Sequence, residues 1–337
     1  MRMTWLIPLI LAVFGQGGFQ MPPIGIIDFY GLRSVTEAQA RQALRLKESD
    51  PVPESPVPAR LRLEAIPGVS RARLNFVCCN NGKAIMYVGV EEKGAPGLEF
   101  RPAPHGSVRL YADVLQAGAD FDKAFTEAAQ MSDFGEDQLE GHSLMHYAPA
   151  RAVQKQFIKL AALHQAQLRD VLRNSADAHQ RALAAQVLAY SADKKTVIDD
   201  LIYGMRDPDE ETRNNSTRAL WLIAMLGQRS PDLGIKVPSA PFIDLLNSIV
   251  WTDRNKSSLA LLQITDNRDP ALLAELHQRA LPALIEMARW KTPGHAQASI
   301  YVLGRIGGMS EPDIQAAVAK GDLETVISAG VKAAKVD

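Results

Sequence analysis

The stretch RNSADAHQRALAAQVLAY at 173–190 returns, altered, as MRDPDEETRNNSTRALWL at 205–222. Asp177 falls on Asp209, Arg181 on Arg213 and Leu188 on Leu220, an offset of 32 positions. Self-similarity at this spacing describes a two-helix unit that cannot bury its apolar face alone and must stack on its neighbours. A weaker unit runs over 242–264, with Lys256 near the arginine position, and another over 281–306. In the best copy, Asp207 is the expected N-cap, Pro208 the first helical residue and Glu210 the capping-box partner. Asp269-Pro270 offers the same cap-then-proline device, and helices near 312–319 and 322–334 close the array. The pattern predicts an all-helical repeat region over 151–335.

Two segments of that region, IDDLIYGMRDPDEETR (198–213) followed by Ala219-Leu220 and ASIYVLGRIG (298–307), resemble HEAT repeats. The resemblance implies an α-solenoid. It also implies that Asp177, Arg181, Asp209 and Arg213 form a ladder between successive units, with a structural and not a catalytic role.

The N-terminal part has a different period. IGIIDFY (24–30) is a compact β-branched run ended by Gly31 and reads as a strand. SVTE (34–37) is a capping box opening a helix whose apolar spacing runs through Leu46, and DPVPESPVP (50–58) is a proline-rich break. A short helix over 60–66 stops before Pro67-Gly68, and two strands then flank Asn80-Asn81-Gly82. This β-α-α-β-β order resembles the POTRA domain of bacterial envelope proteins. The likeness is carried by Gly31, Val35, L-x-L at 44–46, LEAIPGVSRA (63–72) and Glu91-Glu92, where the family has V-x-E. It covers 24–93 and implies a docking module that works partly through its sheet edge. The expected fold class is thus a small α+β, POTRA-like domain followed by an all-α helical-repeat solenoid.

Both cysteines, Cys78 and Cys79, stand next to that hairpin turn. A two-residue loop, Asn81-Gly82, mixes polar and apolar side chains on both faces. A three-residue loop, Asn80-Asn81-Gly82, separates them: Ala72, Leu74, Phe76 and Cys78 share a face with Ala84, Met86, Val88 and Val90. That register sends Cys78 inward and Cys79 outward. Adjacent Cα atoms ~3.8 Å apart across a trans peptide fall short of the disulfide range, so the pair reads as neither a chelate nor a bridge. Pairing between molecules through Cys79 is the remaining use.

Residues 94–150 read as a connector with one or two helices. In it, EDQLEGHSLMH (136–146) places His142 and His146 at i and i+4 with Glu140 close by, a set suited to zinc if helical. It lacks the glutamate of HExxH, and Gly141 weakens the helix. No nucleophile elbow, phosphate loop or Cys-x-x-C occurs, so no catalytic residue and no cofactor are expected.

Lysine and arginine total 37 against 38 aspartates and glutamates, and the net charge of -1 supplies no field for nucleic acid. Trp5 to Phe14 is an apolar run after Arg2, followed by Gly15, Gly17 and Gly18, the layout of a secretory signal over 1–20. At about half the length of a span, it leaves no membrane segment after cleavage. The leader leads us to expect export, and the two resemblances imply a bacterial protein, periplasmic or secreted, that binds other proteins as a non-enzymatic scaffold. A free edge strand also permits homodimers. The alternative is a metal-binding protein or metal-dependent enzyme centred on His142 and His146.

Overall fold

The computed structural model describes residues 21–95, 97–131 and 133–333; the expected export segment, 1–20, lies outside them. The chain begins β1 (Ile24–Tyr30), α1 (Glu37–Leu44), α2 (Val57–Glu64), β2 (Val69–Asn80), β3 (Lys83–Glu92). Then come α3 (Ala112–Gln130), β4 (Glu136–Asp137), β5 (Leu144–Met145), α4 (Ala148–Asn174) and α5 (Ala178–Leu188). The rest is helical: α6 (Ile198–Gly204), α7 (Glu210–Arg229), α8 (Ala240–Leu245), α9 (Trp251–Ile264), α10 (Pro270–Ala288), α11 (Pro293–Ile306), α12 (Glu311–Lys320) and α13 (Leu323–Lys332). A small α+β region followed by helices is therefore present. Among the described residues no helix is long and apolar enough to cross a membrane.

Two compact units divide the chain. Of the described residues, 99–241 form one; the other joins those of 21–98 with those of 242–333. In the first unit α5 packs between α4 and α7, α6 packs on α7, and α3 lies on α4.

In the second unit the strand order is β1-β3-β2, with β1 parallel and β2 antiparallel to β3. One face of this sheet meets α1 and α2 through Leu44, Leu63, Leu74, Met86 and Val88. β3 is also buried on its other side, at Ile85 and Tyr87, as its unbroken apolar run AIMYVGV requires. That second face meets the 249–251 segment and α11. Asn75 Oδ1 accepts from Trp251 N at 3.1 Å, and Tyr30 Oη donates to Ile249 O at 2.9 Å. Gly89 permits the approach: a Cβ there would stand 2.1 Å from Ile249 O.

Hairpin register matches the apolar pattern from Ala72↔Val90 to Val77↔Ile85. The tip differs. Asn80 pairs with Lys83 across a two-residue turn, with Asn81 at φ 50 and Gly82 at φ +71, the signs of a type I′ turn. The extra residue sits at Cys78 and Cys79, which face Ala84 alone. Cys78 is buried and Cys79 exposed, as read from the sequence. Contrary to that reading, the two are joined as a disulfide, with Cα atoms 3.1 Å apart across a cis peptide where a trans one was assumed.

The first helix starts later than SVTE indicates. Thr36 and Gln39 form the capping box, because the Ser34 amide is already taken. Glu92, at the end of β3, accepts from the amides of Arg33 (2.7 Å), Ser34 (2.9 Å) and Val35 (3.0 Å). Burial pushes its carboxyl up, but these donors together outweigh burial and hold it below the ordinary value of 4.5. Glu92→Gln should therefore cost about 1–3 kcal/mol at neutral pH. Because the folded carboxyl is depressed, the wild-type advantage is full above pH 4.5 and is lost as pH falls through the folded value. Denaturant unfolding of both proteins at a series of pH values checks this; equal stabilities at pH 7 would refute it.

Candidate functional site

The four residues read as a ladder occupy two equivalent turns. Asp177 caps α5 by accepting from Gln180 N at 3.2 Å, and Asp209 caps α7 by accepting from Thr212 N at 2.8 Å. The cap is therefore Asp209 and not Asp207. Two residues before each cap, a side chain takes the cap's own amide: Ser175 Oγ from Asp177 N (3.2 Å) and Asp207 Oδ1 from Asp209 N (2.9 Å). Four residues after each cap, a buried arginine reaches back to the carbonyl of that same residue. Arg181 donates to Ser175 O and Arg213 to Asp207 O, both at 2.9 Å.

Between the two turns the ion pair is Arg181 with Asp207, bidentate at 2.8 and 2.9 Å, and not Arg181 with Asp209. Asp207 is fully buried and also takes Arg101. Low exposure on both sides makes this pair an internal fastening. In the second unit the device recurs at Ser248, Val250 and Arg254, where Ser248 Oγ accepts from Val250 N and Arg254 Nε donates to Ser248 O at 2.6 Å. The arginine equivalent is thus Arg254, two residues before the expected Lys256. Sequence reading missed it because valine holds the cap position.

Glu140, His142 and His146 are not on a helix. Gly141, at φ +69, turns the chain between β4 and β5. His142 is buried and meets Lys194 Nζ at 3.1 Å through Nδ1, while Glu140 lies 3.8 Å from its Nε2. His146 is exposed and faces Asp137 at 3.3 Å. Burial, then the Lys194 charge, pushes His142 down to about 4. Among the described residues no group of three or more His, Cys, Asp or Glu is placed to hold a metal ion.

A buried group of polar and aromatic side chains lies on the second face of the sheet. Tyr87 Oη stands 2.6 Å from His295 Nδ1, and the Tyr87 ring stacks on Trp251 at 5.2 Å and tilts against Trp290 at 4.9 Å. Burial, followed by the charge of Lys256, pushes His295 down to about 4, so the imidazole is neutral and its Nδ1 shares a hydrogen bond with the tyrosine hydroxyl. Burial also raises Tyr87, which keeps the hydroxyl a donor. Alongside, Arg254 pairs with Glu286 at 2.7 Å, and Glu286 accepts from Gly31 N at 3.0 Å. Neutral or ion-paired, and mutually bonded, these groups suit fastening better than proton transfer to a solvent-borne substrate.

The sheet edges are plugged at several points. On β1, Ile24 N donates to Asp50 O, Ser49 N donates to Ile24 O, and Ile27 O accepts from Lys291 Nζ at 2.6 Å. On β2, Ala72 N donates to Glu64 Oε1 at 3.1 Å. Such plugs limit strand addition. Large apolar side chains stand outside on helices instead: Leu61 of α2 is 53% exposed, with Val57 one turn earlier, and Leu163 of α4 is 72% exposed. No family model and no curated protein matches this chain.

Two outcomes follow from the buried polar groups. Arg181→Met removes the bidentate partner of buried Asp207, leaving Arg101 as its cation, and should cost about 1.5–3 kcal/mol; Asp177→Ala, which removes a cap, should cost about 1 kcal/mol. Denaturant unfolding ranks the two, and the reverse order would contradict the assignment. Below pH 6.5 the unfolded chain takes up a proton that folded His295 refuses until about pH 4. Stability should therefore fall through that window. His295→Phe should flatten part of the fall, leaving the share of His142, and an unchanged slope would place the acid sensitivity elsewhere.

Proposed function

We propose that this chain is a non-enzymatic scaffold or protein-interaction protein of the bacterial cell envelope or secreted space. In this reading residues 24–93 are a POTRA-like module, the helices beyond 151 are HEAT-type repeats of an α-solenoid, and the leader over 1–20 directs export. The observation that carries it is the recurring cap-and-arginine device at Ser175/Asp177/Arg181, Asp207/Asp209/Arg213 and Ser248/Val250/Arg254. A device that recurs at successive turns fastens helix pairs, which is the use a repeat array has for buried charge. Partner contacts then fall to the outer helix faces, with Leu61 and Leu163 as the most exposed apolar anchors on α2 and α4.

Deleting 24–93 is a poor test, because it would uncover Trp251 and Trp290. A photo-crosslinking residue placed singly at Leu61 or Leu163 of the full chain, expressed in its own host, leaves both cores intact. The expected result is one defined adduct at either position, lost when the neighbouring Val57 or an adjoining surface residue is changed to aspartate. An adduct of twice the chain mass assigns a homodimer as the scaffold unit. Absence of any defined adduct at both positions would overturn the reading.

A further inference from the structure

The hairpin holds one residue more than its register needs. Inward from Val77↔Ile85, β2 offers Cys78 and Cys79 where β3 offers only Ala84, and Asn80↔Lys83 then closes the turn. A bulge of this kind places two residues opposite one. The same surplus fits equally at the tip. With a three-residue loop of Asn80, Asn81 and Gly82, Cys79 faces Lys83, Cys78 faces Ala84, and every pair from Ala72↔Val90 to Val77↔Ile85 is unchanged. In that loop Gly82 keeps its left-handed conformation, whereas Asn81 leaves the positive φ it now holds. Regular strand residues alternate faces, so two adjacent sulfurs bonded to each other are incompatible with a regular strand through both. The covalent link therefore selects the bulge, and its removal frees the loop arrangement.

We propose that Cys78–Cys79 is a thiol–disulfide switch that moves this surplus residue between the cysteine pair and the Asn80–Gly82 loop. Cys79 is exposed and Cys78 buried, which gives the exchange a direction. The thiolate of an external dithiol attacks Cys79 Sγ; the Cys78–Cys79 sulfur bond breaks, and Cys78 leaves as a thiolate that takes a proton. The second thiol of the reagent then attacks the mixed disulfide, releasing Cys79 as a thiol and the reagent as its cyclic disulfide. Two electrons pass from the dithiol to the protein, and a disulfide oxidant reverses the sequence. The readout is confined to the tip because the body of the hairpin has the same register in both states.

The test uses the full chain purified without reductant. Intact mass after iodoacetamide added under denaturing conditions should show no label before dithiothreitol and two labels after it. Hydrogen exchange should then quicken about 10-fold or more for amides of 78–83, while peptides from 70–77 and 85–92 stay unchanged. The double variant Cys78→Ser, Cys79→Ser should show the reduced pattern with and without dithiothreitol. Labelling before reduction, a disulfide-linked dimer, an unaltered tip on reduction, or loosening of the whole hairpin would each overturn the proposal. So would a double variant that keeps the oxidised pattern.

Discussion

The aromatic and polar layer between β3 and the residues around Trp251, Trp290 and His295 is the contact on which the sheet-bearing unit depends. Tyr87 and His295 are 208 residues apart in the chain, so closing that contact costs about 5 kcal/mol in chain entropy. Four aromatic side chains, Tyr30, Tyr87, Trp251 and Trp290, are buried there. At about 1.5–3 kcal/mol for each large apolar side chain, their burial offsets the closure with some to spare. Gly89 is the steric condition: any side chain at that position would push Ile249 off the sheet. Helices from the far end of the chain thus complete the core of the sheet-bearing unit.

This explains which parts of the unit were legible in its sequence. The element order β1-α1-α2-β2-β3 follows from local signals: a β-branched run, a capping sequence, a proline break and Asn-Gly between two strands. The register of the hairpin body, though not of its tip, followed from separating apolar from polar positions. The cover on the second face did not, although a trace of it was present. Ile85, Tyr87 and Gly89 make AIMYVGV apolar on both sides, and a half-exposed strand would alternate. What covers a strand so distant in sequence has no local signature.

Cap positions failed by two residues at both places where two candidates stood close together. Ser34 and Thr36 each suit an N-cap, as do Asp207 and Asp209. Tertiary demands decided between them: Glu92 holds the Ser34 amide, and Arg181 and Arg101 hold the Asp207 carboxylate. The repeat period of 32 was legible because its caps are both aspartate. The third copy, with Val250 at the cap position and no side-chain cap, hid its arginine at 254 behind a more conspicuous lysine at 256. The histidines at 142 and 146 had helical spacing on paper, but Gly141 supplied the turn that parted them.

The distribution of polar groups also bears on how partners would be engaged. Strand addition at β1 would have to displace Lys291 from Ile27 O and the Asp50 backbone from Ile24 N. Lys291 is itself tied to Asp28, whose carboxyl burial pushes up while the Lys291 amide and ammonium draw it down. At β2 the plug is Glu64, which also pairs with Arg60 at 2.8 Å. Each plug is thus held by a second contact, and removing one exposes a buried polar group as well as an edge. The exposed turns of α2 and α4 carry no such penalty. A partner that docks on helices gains apolar contact without breaking an internal bond, which makes helix faces the cheaper surface for recognition in this architecture.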